Sequence, residues 1–172
     1  LVNFFIGLSV GAGVCVAHGL GSREDTVVHN TVHTALPTAI ASGLFLTIIG
    51  VAFSGTFLRM MGTPDNVLPL SAIYMQIYFG GITFSMVYNF CAAILRAAGD
   101  TKSPLLYLTV AGVVNVILNI FFVTVLHMNV AGVALATTLS QGISAVLVIR
   151  ALMKRTDACR LYWNKMRFHK NQ

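Results

Sequence analysis

Charge is what this sequence lacks. Only 9% of its 172 residues are Asp, Glu, Lys or Arg, and from Ser103 to Ile149 there is none at all. Soluble domains carry about a quarter charged residues, and with 56% hydrophobic residues and a mean hydropathy of +0.81 the expected surroundings are lipid. Acids are scarcest: Glu24, Asp25, Asp65, Asp100 and Asp157 are the whole set, and none stands at a catalytic spacing from a histidine. That argues against a membrane-embedded enzyme, which needs a convergent acid, base or metal constellation. Three cysteines, Cys15, Cys91 and Cys159, share no ligand-like spacing, and an odd number cannot all pair within one chain. They read as small apolar side chains. No ten-residue alternating pattern recurs, which excludes a membrane β-barrel.

What is present is apolar length. Five hydrophobic segments, Leu1–Leu20, Ala35–Leu58, Leu70–Leu95, Leu105–Leu126 and Val130–Ile149, each approach the roughly 20 residues that cross about 30 Å of hydrocarbon. Backbone groups in lipid must be satisfied within the segment, so the predicted fold is all-α, a polytopic bundle of five transmembrane helices (residues 1–149). A basic connector over residues 150–172 follows, and there is no room for a separate soluble domain. Glycine and proline punctuate the breaks: Gly19 and Gly21, Pro37 just inside the second segment, Gly62, Pro64 and Pro69, then Gly99 and Ser103-Pro104 with Ser103 as a candidate N-cap.

With alternating crossings, Arg23, Arg96, Lys102, Arg150, Lys154, Arg155, Arg160, Lys165, Arg167 and Lys170 share one side and only Arg59 lies on the other. The positive-inside rule makes the crowded side cytoplasmic. The net charge of +6 then implies contact with anionic membrane lipids, not nucleic acid. Tyr162, Trp163 and Phe168 would suit an interfacial tail, or a plain solvated connector. Leu1 opens inside an apolar stretch with no basic n-region, so it reads as no signal peptide, and an earlier helix carrying the chain outward is expected, making this a piece of something larger.

Polar side chains inside the spans are the functional candidates. Asn115 and Asn119 are four apart and share a helical face. Thr137, Gln141 and Ser144 follow i, i+4, i+7 spacing on the returning helix, and a short hairpin would bring the two stripes together near mid-bilayer. They serve either as interhelical packing contacts, worth about 0.6 kcal/mol each, or as hard neutral oxygens that bind Na⁺ or solvate a proton-carrying carboxylate. Neither amide nor hydroxyl titrates, so the second role needs an acid from elsewhere. Gly7, Gly11 and Gly13 permit close helix approach. Tyr74, Tyr78, Phe79, Phe84, Tyr88 and Phe90, with Met75, Met86, Gln76 and Asn89, read as belt or lipid-facing residues, or as a pocket lining for flat cationic solutes. Tyr78, Tyr88 and Asn89, together with Gln141, are the cavity-lining candidates. Arg96 and Asp100, at i, i+4, would pair to close a helix end. His29 and His33 have the same spacing but no third ligand, so no metal site is expected.

Three strings carry a resemblance: LVNFFIGLSVGAGVCVAHGLG (1–21), YFGGITFSMVYNFCAAILRAAGDTKSPL (78–105) and NVAGVALATTLSQGISA (129–145). They resemble the multidrug and toxic compound extrusion (MATE) transporters, and the middle string, with Arg96, Gly99, Asp100 and Pro104 as its cytoplasmic loop motif, is the most specific. The resemblance implies twelve helices in two lobes, of which this chain would supply the second to sixth helices of the first lobe. It implies an antiporter and not an enzyme, at the plasma (inner) membrane, exporting a small organic substrate in exchange for H⁺ or Na⁺, with no other cofactor. The implied partners are the first helix, which carries an acidic residue, and the C-terminal lobe. Asn115, Asn119 and Thr137 match the polar cluster around that acid, although many members have Asp at the position of Asn119. A lipid-linked oligosaccharide flippase is the nearest alternative, but such cavities are lined with basic side chains and the five spans here hold none. An accessory membrane subunit is the other.

Overall fold

A computed structural model describes residues 2–162. Its helices are α1 (Val2–Gly21), α2 (Asp25–Met60), α3 (Leu68–Ala97), α4 (Lys102–Ile120), continued by a π-helical turn over Phe121–Val125, and α5 (Asn129–Lys154). Among the described residues, five helices are long and apolar enough to cross a membrane, giving an all-α transmembrane bundle. Trp163, Phe168 and the rest of the expected connector after residue 162 lie outside the described residues.

α3 is the hub, packed against α1, α2 and α5, while α4 leans chiefly on α5. Small side chains set the approach. Gly43 on α2 has no room for a methyl, because a Cβ there would stand 2.6 Å from the Thr83 Cα of α3. Alongside, the Thr47 hydroxyl donates to the Phe79 carbonyl at 2.7 Å and lies 3.2 Å from the Thr83 hydroxyl. Such contacts take over where lipid tails supply no hydrophobic drive between helices. The principal core cluster, including Val16, Val28, Val32, Leu36, Phe90, Ile94, Val148 and Leu152, sits at the end of the bundle where the basic residues gather. A smaller one, Leu46, Ile82 and Met86, lies deeper.

A helix boundary and a side-chain pair differ from the sequence reading. α2 starts at Asp25, not at residue 35, so Pro37 is interior to the helix; Pro has no N–H to give the carbonyl four residues back, yet the helix continues. At 36 residues it runs about 54 Å, well beyond the hydrocarbon thickness, so its first turns stand level with the basic-end loops. The expected Arg96–Asp100 pair does not form. The Arg96 Nε–H turns back to the Ala92 carbonyl at 3.2 Å, and the Asp100 carboxylate accepts the Ser103 N–H at 3.0 Å. The capping side chain at the start of α4 is thus Asp100, in place of Ser103. Between them Gly99 adopts φ +86°, and its N–H and that of Asp100 reach back to the carbonyls of Arg96 and Leu95 at 3.0 and 2.9 Å. This is a Schellman closure, which favours glycine at the left-handed position. Hydrogen bonds from the Ser103 hydroxyl and main chain hold Asp100 below the usual carboxylate range, with a further contribution from Arg155.

Candidate functional site

Asn115 stands about 20 Å along the roughly 36 Å of helix from Lys102 to Val125, near mid-span. α5 returns antiparallel beside it, because the π-helical turn and the left-handed residues His127 (φ 50°) and Asn129 (φ 46°) reverse the chain within a few residues. The hairpin brings three of the predicted residues into one hydrogen-bonded group. The Asn119 Nδ2–H donates to Asn115 Oδ1 at 2.8 Å, and Asn115 Nδ2 donates to Thr137 Oγ1 at 3.4 Å and to Ser140 Oγ at 3.2 Å. Ser140 is the member that sequence reasoning missed. It sits one turn after Thr137 and is 4% exposed, and its i+3 spacing was the available signal.

The direction of these bonds decides what the group can bind. Thr137 gives its hydroxyl hydrogen to the Val133 carbonyl at 3.0 Å and Ser140 gives its own to the Thr137 carbonyl at 2.9 Å, so both hydroxyls present only lone pairs to Asn115. Both Asn115 amide hydrogens are committed to those oxygens. Asn119 Oδ1 is buried and has no hydrogen-bond partner among the described residues. A buried carbonyl oxygen left unpaired costs about 1–3 kcal/mol, and buried polar atoms are otherwise almost always bonded. The unspent capacity is therefore mainly acceptor capacity: a complete Asn119 oxygen plus the remaining lone pairs of Asn115, Thr137 and Ser140. It fits a cation or a protonated acid, the species that arrive with positive charge or a donor hydrogen. No acid supplies charge from within the described spans, since Asp65, Asp100 and Asp157 lie in loops and Glu24 and Asp25 at the start of α2.

The other candidates lie elsewhere. Gln141 is half-buried on α5, outside the hydrogen bonds of this group. The Tyr88 hydroxyl donates to the Pro104 carbonyl at 2.8 Å, tying α3 to the first turn of α4, where Pro104 is buried. The Asn89 Nδ2–H returns to the Ser85 carbonyl on its own helix at 2.8 Å. Tyr78 is 39% exposed and stacks on Tyr74 with ring centres 6.3 Å apart. Tyr78, Tyr88 and Asn89 thus share no hydrogen bond with the amide group. Arg96, Gly99, Asp100 and Pro104 form the α3–α4 turn at the basic end, well away from it.

A family model described as MatE matches residues 1–121. The chain is 43% identical over 144 residues to the probable multidrug resistance protein YpnP of Bacillus subtilis, an alignment covering 84% of this chain and 32% of that protein. It is 24% identical over 148 residues to the multidrug export protein MepA of Staphylococcus aureus, covering 86% and 33% respectively. A crystal structure of a MATE protein in a bent conformation matches the fold with a TM-score of 0.90 at 23% identity, covering 96% of this chain and 37% of that one. The chain spans about a third of the length of the curated relatives it matches.

Proposed function

Because the chain belongs to the multidrug and toxic compound extrusion (MATE) family, we propose that it forms part of a secondary transporter that exports organic cations or other amphipathic compounds in exchange for H⁺ or Na⁺. The named relatives are multidrug resistance and export proteins, which supports efflux as the activity. Export would proceed by alternating access, with this bundle as most of one lobe rocking against a second. The first helix and the other lobe come from the remainder of the polypeptide. The protein resides in the plasma membrane, with the end that carries Arg23, Arg96, Lys102 and Arg150 facing the cytoplasm.

One observation carries the ion-coupling part of this reading: the buried Asn119 Oδ1, without a partner among the described residues, at the end of a chain in which the Thr137 and Ser140 hydroxyls and the Asn115 amide have given away their hydrogens and Asn119 one of its two. Four neutral oxygens, those of Asn115, Asn119, Thr137 and Ser140, suit a hard cation or the acid that exchanges a proton. Carboxamides carry no charge, so the negative charge that makes binding favourable in a low dielectric comes from the first helix. In the full-length protein, Asn115→Ala and Thr137→Ala are expected to abolish resistance to exported compounds while membrane insertion and expression stay normal. Unchanged resistance in both variants refutes the site.

A further inference from the structure

After α5 the chain turns back across the basic end of the bundle, and this segment is docked. Leu161 is 3% exposed and Cys159 is fully buried, both within the core cluster that includes Val28 and Val32 of α2. The Leu161 N–H bonds the Leu152 carbonyl at 3.3 Å. The Arg155 guanidinium clamps the Asp157 carboxylate at 2.5 Å, and each holds the other in its charged form. The last described residue, Tyr162, gives its main-chain N–H to His33 Nε2 at 3.0 Å, and its ring lies nearly parallel to the His33 ring with centres 6.0 Å apart.

His33 is fully buried, and both ring nitrogens are engaged. Nδ1 lies 2.7 Å from the His29 carbonyl, an acceptor, so Nδ1 must carry the hydrogen. Nε2 accepts from Tyr162 and must be bare. Only the neutral imidazole with its hydrogen on Nδ1 satisfies both contacts. A proton on Nε2 would face the Tyr162 N–H, donor against donor. Proton binding at His33 and docking of Tyr162 therefore exclude each other.

We propose that residues 155–162 form a proton-sensitive strap, locked across the start of α2 by neutral His33 and released when His33 is protonated. The strap joins the end of α5 to the start of α2, so its release frees two helices that share it as a tether. The titratable and charged groups on the elements around it are Glu24, Asp25 and His29 at the start of α2, His18 and Arg23 at the end of α1, Cys91 and Arg96 on α3, Asp100 in the α3–α4 turn, Arg150 and Lys154 on α5, and Arg155, Asp157, Cys159, Arg160 and Tyr162 on the strap itself. His29 stacks on His33 with ring centres 4.1 Å apart, so its own charging opposes that of His33. Arg160 lies 5.0 Å from the Tyr162 ring centre.

Buried Cys159 is a built-in reporter. Its alkylation by a membrane-impermeant maleimide, read by peptide mass in the full-length chain in inside-out membrane vesicles, is referred at each pH to a Tyr162→Pro variant, which lacks the N–H donor. This ratio cancels the intrinsic pH dependence of the thiol. At about pH 8 the wild type is expected to react at least about five- to tenfold more slowly than Tyr162→Pro, which loses one good hydrogen bond together with the ring contacts to His33 and Arg160. At about pH 5.5 the two rates should converge. In His33→Gln, whose carboxamide oxygen accepts in place of Nε2 and does not titrate, protection should persist at both values. Wild-type protection unchanged between the two pH values, or a pH response surviving in His33→Gln, overturns the switch. Absence of protection at about pH 8 overturns the docking itself. No readout depends on transport, so failure here is distinguishable from failure of the exporter reading.

Discussion

Replacing Asn119 by Leu separates a binding role from a packing role, because the two predict opposite effects on stability. The substitution removes a buried oxygen without a partner, whose desolvation costs about 1–3 kcal/mol. It also removes one hydrogen bond, from Asn119 Nδ2 to Asn115 Oδ1 at 2.8 Å, worth about 0.6 kcal/mol on average between groups in a membrane protein. Leucine keeps the branching but is larger by about two methylene groups, and Asn119 is only half-buried, which limits the overpacking. The polar terms alone favour the variant by roughly 0.5–2 kcal/mol. If the oxygen is kept for a cation or an acid, the full-length Asn119→Leu protein should be at least as heat-stable as the wild type by size-exclusion melting in detergent, and should fail to confer resistance. A melt lowered by more than about 1 kcal/mol equivalent in both Asn119→Leu and the smaller Asn119→Val would mean that the oxygen holds helices together in the complete protein. Resistance at wild-type level in a stable variant would mean that the oxygen serves no transport role. Either outcome refutes the reasoning.

Two further outcomes test the packing and the loop. Gly43→Ala places a methyl group 2.6 Å from the Thr83 backbone, and forcing α2 from α3 should destabilise the protein by about 1–3 kcal/mol; Gly7→Ala, with nothing within 4 Å, should melt within about 0.5 kcal/mol of wild type. Asp100 has its proton affinity depressed by its hydrogen bonds with Ser103, so the charged form stabilises the α3–α4 turn above the ordinary carboxylate range, and that contribution is lost as pH falls through the lowered value in the fold. In Asp100→Asn the melting temperature should lose part of its decline below about pH 4, and an identical acid profile in the two proteins would contradict the cap.

How much of the fold could be read in advance follows from the solvent. Lipid forbids unpaired backbone, so charge-free length translates almost directly into helix, and all five were visible as apolar runs. Their ends were less legible. The start of α2 is a stretch rich in Thr and His, DTVVHNTVHTAL from Asp25 to Leu36, which has no apolar continuity, yet it is helical because its Val28, Val32 and Leu36 pack into the core at the basic end. Hydropathy measures contact with lipid and not contact with protein, so a helix that emerges from the membrane and stays packed is truncated by it. The Arg96–Asp100 pairing failed for a related reason: i, i+4 spacing makes neighbours only while the helix continues, and Gly99 turns the chain before Asp100.

The site was legible as a set of positions and illegible as a pattern of donors. Spacing alone put Asn115 and Asn119 on one face and Thr137 on the returning helix, and the hairpin brings those three together. Spacing could not say which hydrogens are spent. Thr137 and Ser140 each bond a carbonyl of their own helix, a local choice open to any hydroxyl on a helix, and that choice turns the Asn115 amide toward α5 and leaves the oxygen of Asn119 without a donor. A stripe of amides and hydroxyls used for packing alone would close on itself, each hydrogen matched to an oxygen within the bundle. This one leaves a buried acceptor without a partner among the described residues, and such an acceptor is satisfied by a donor hydrogen or a positive charge brought to it from outside the group.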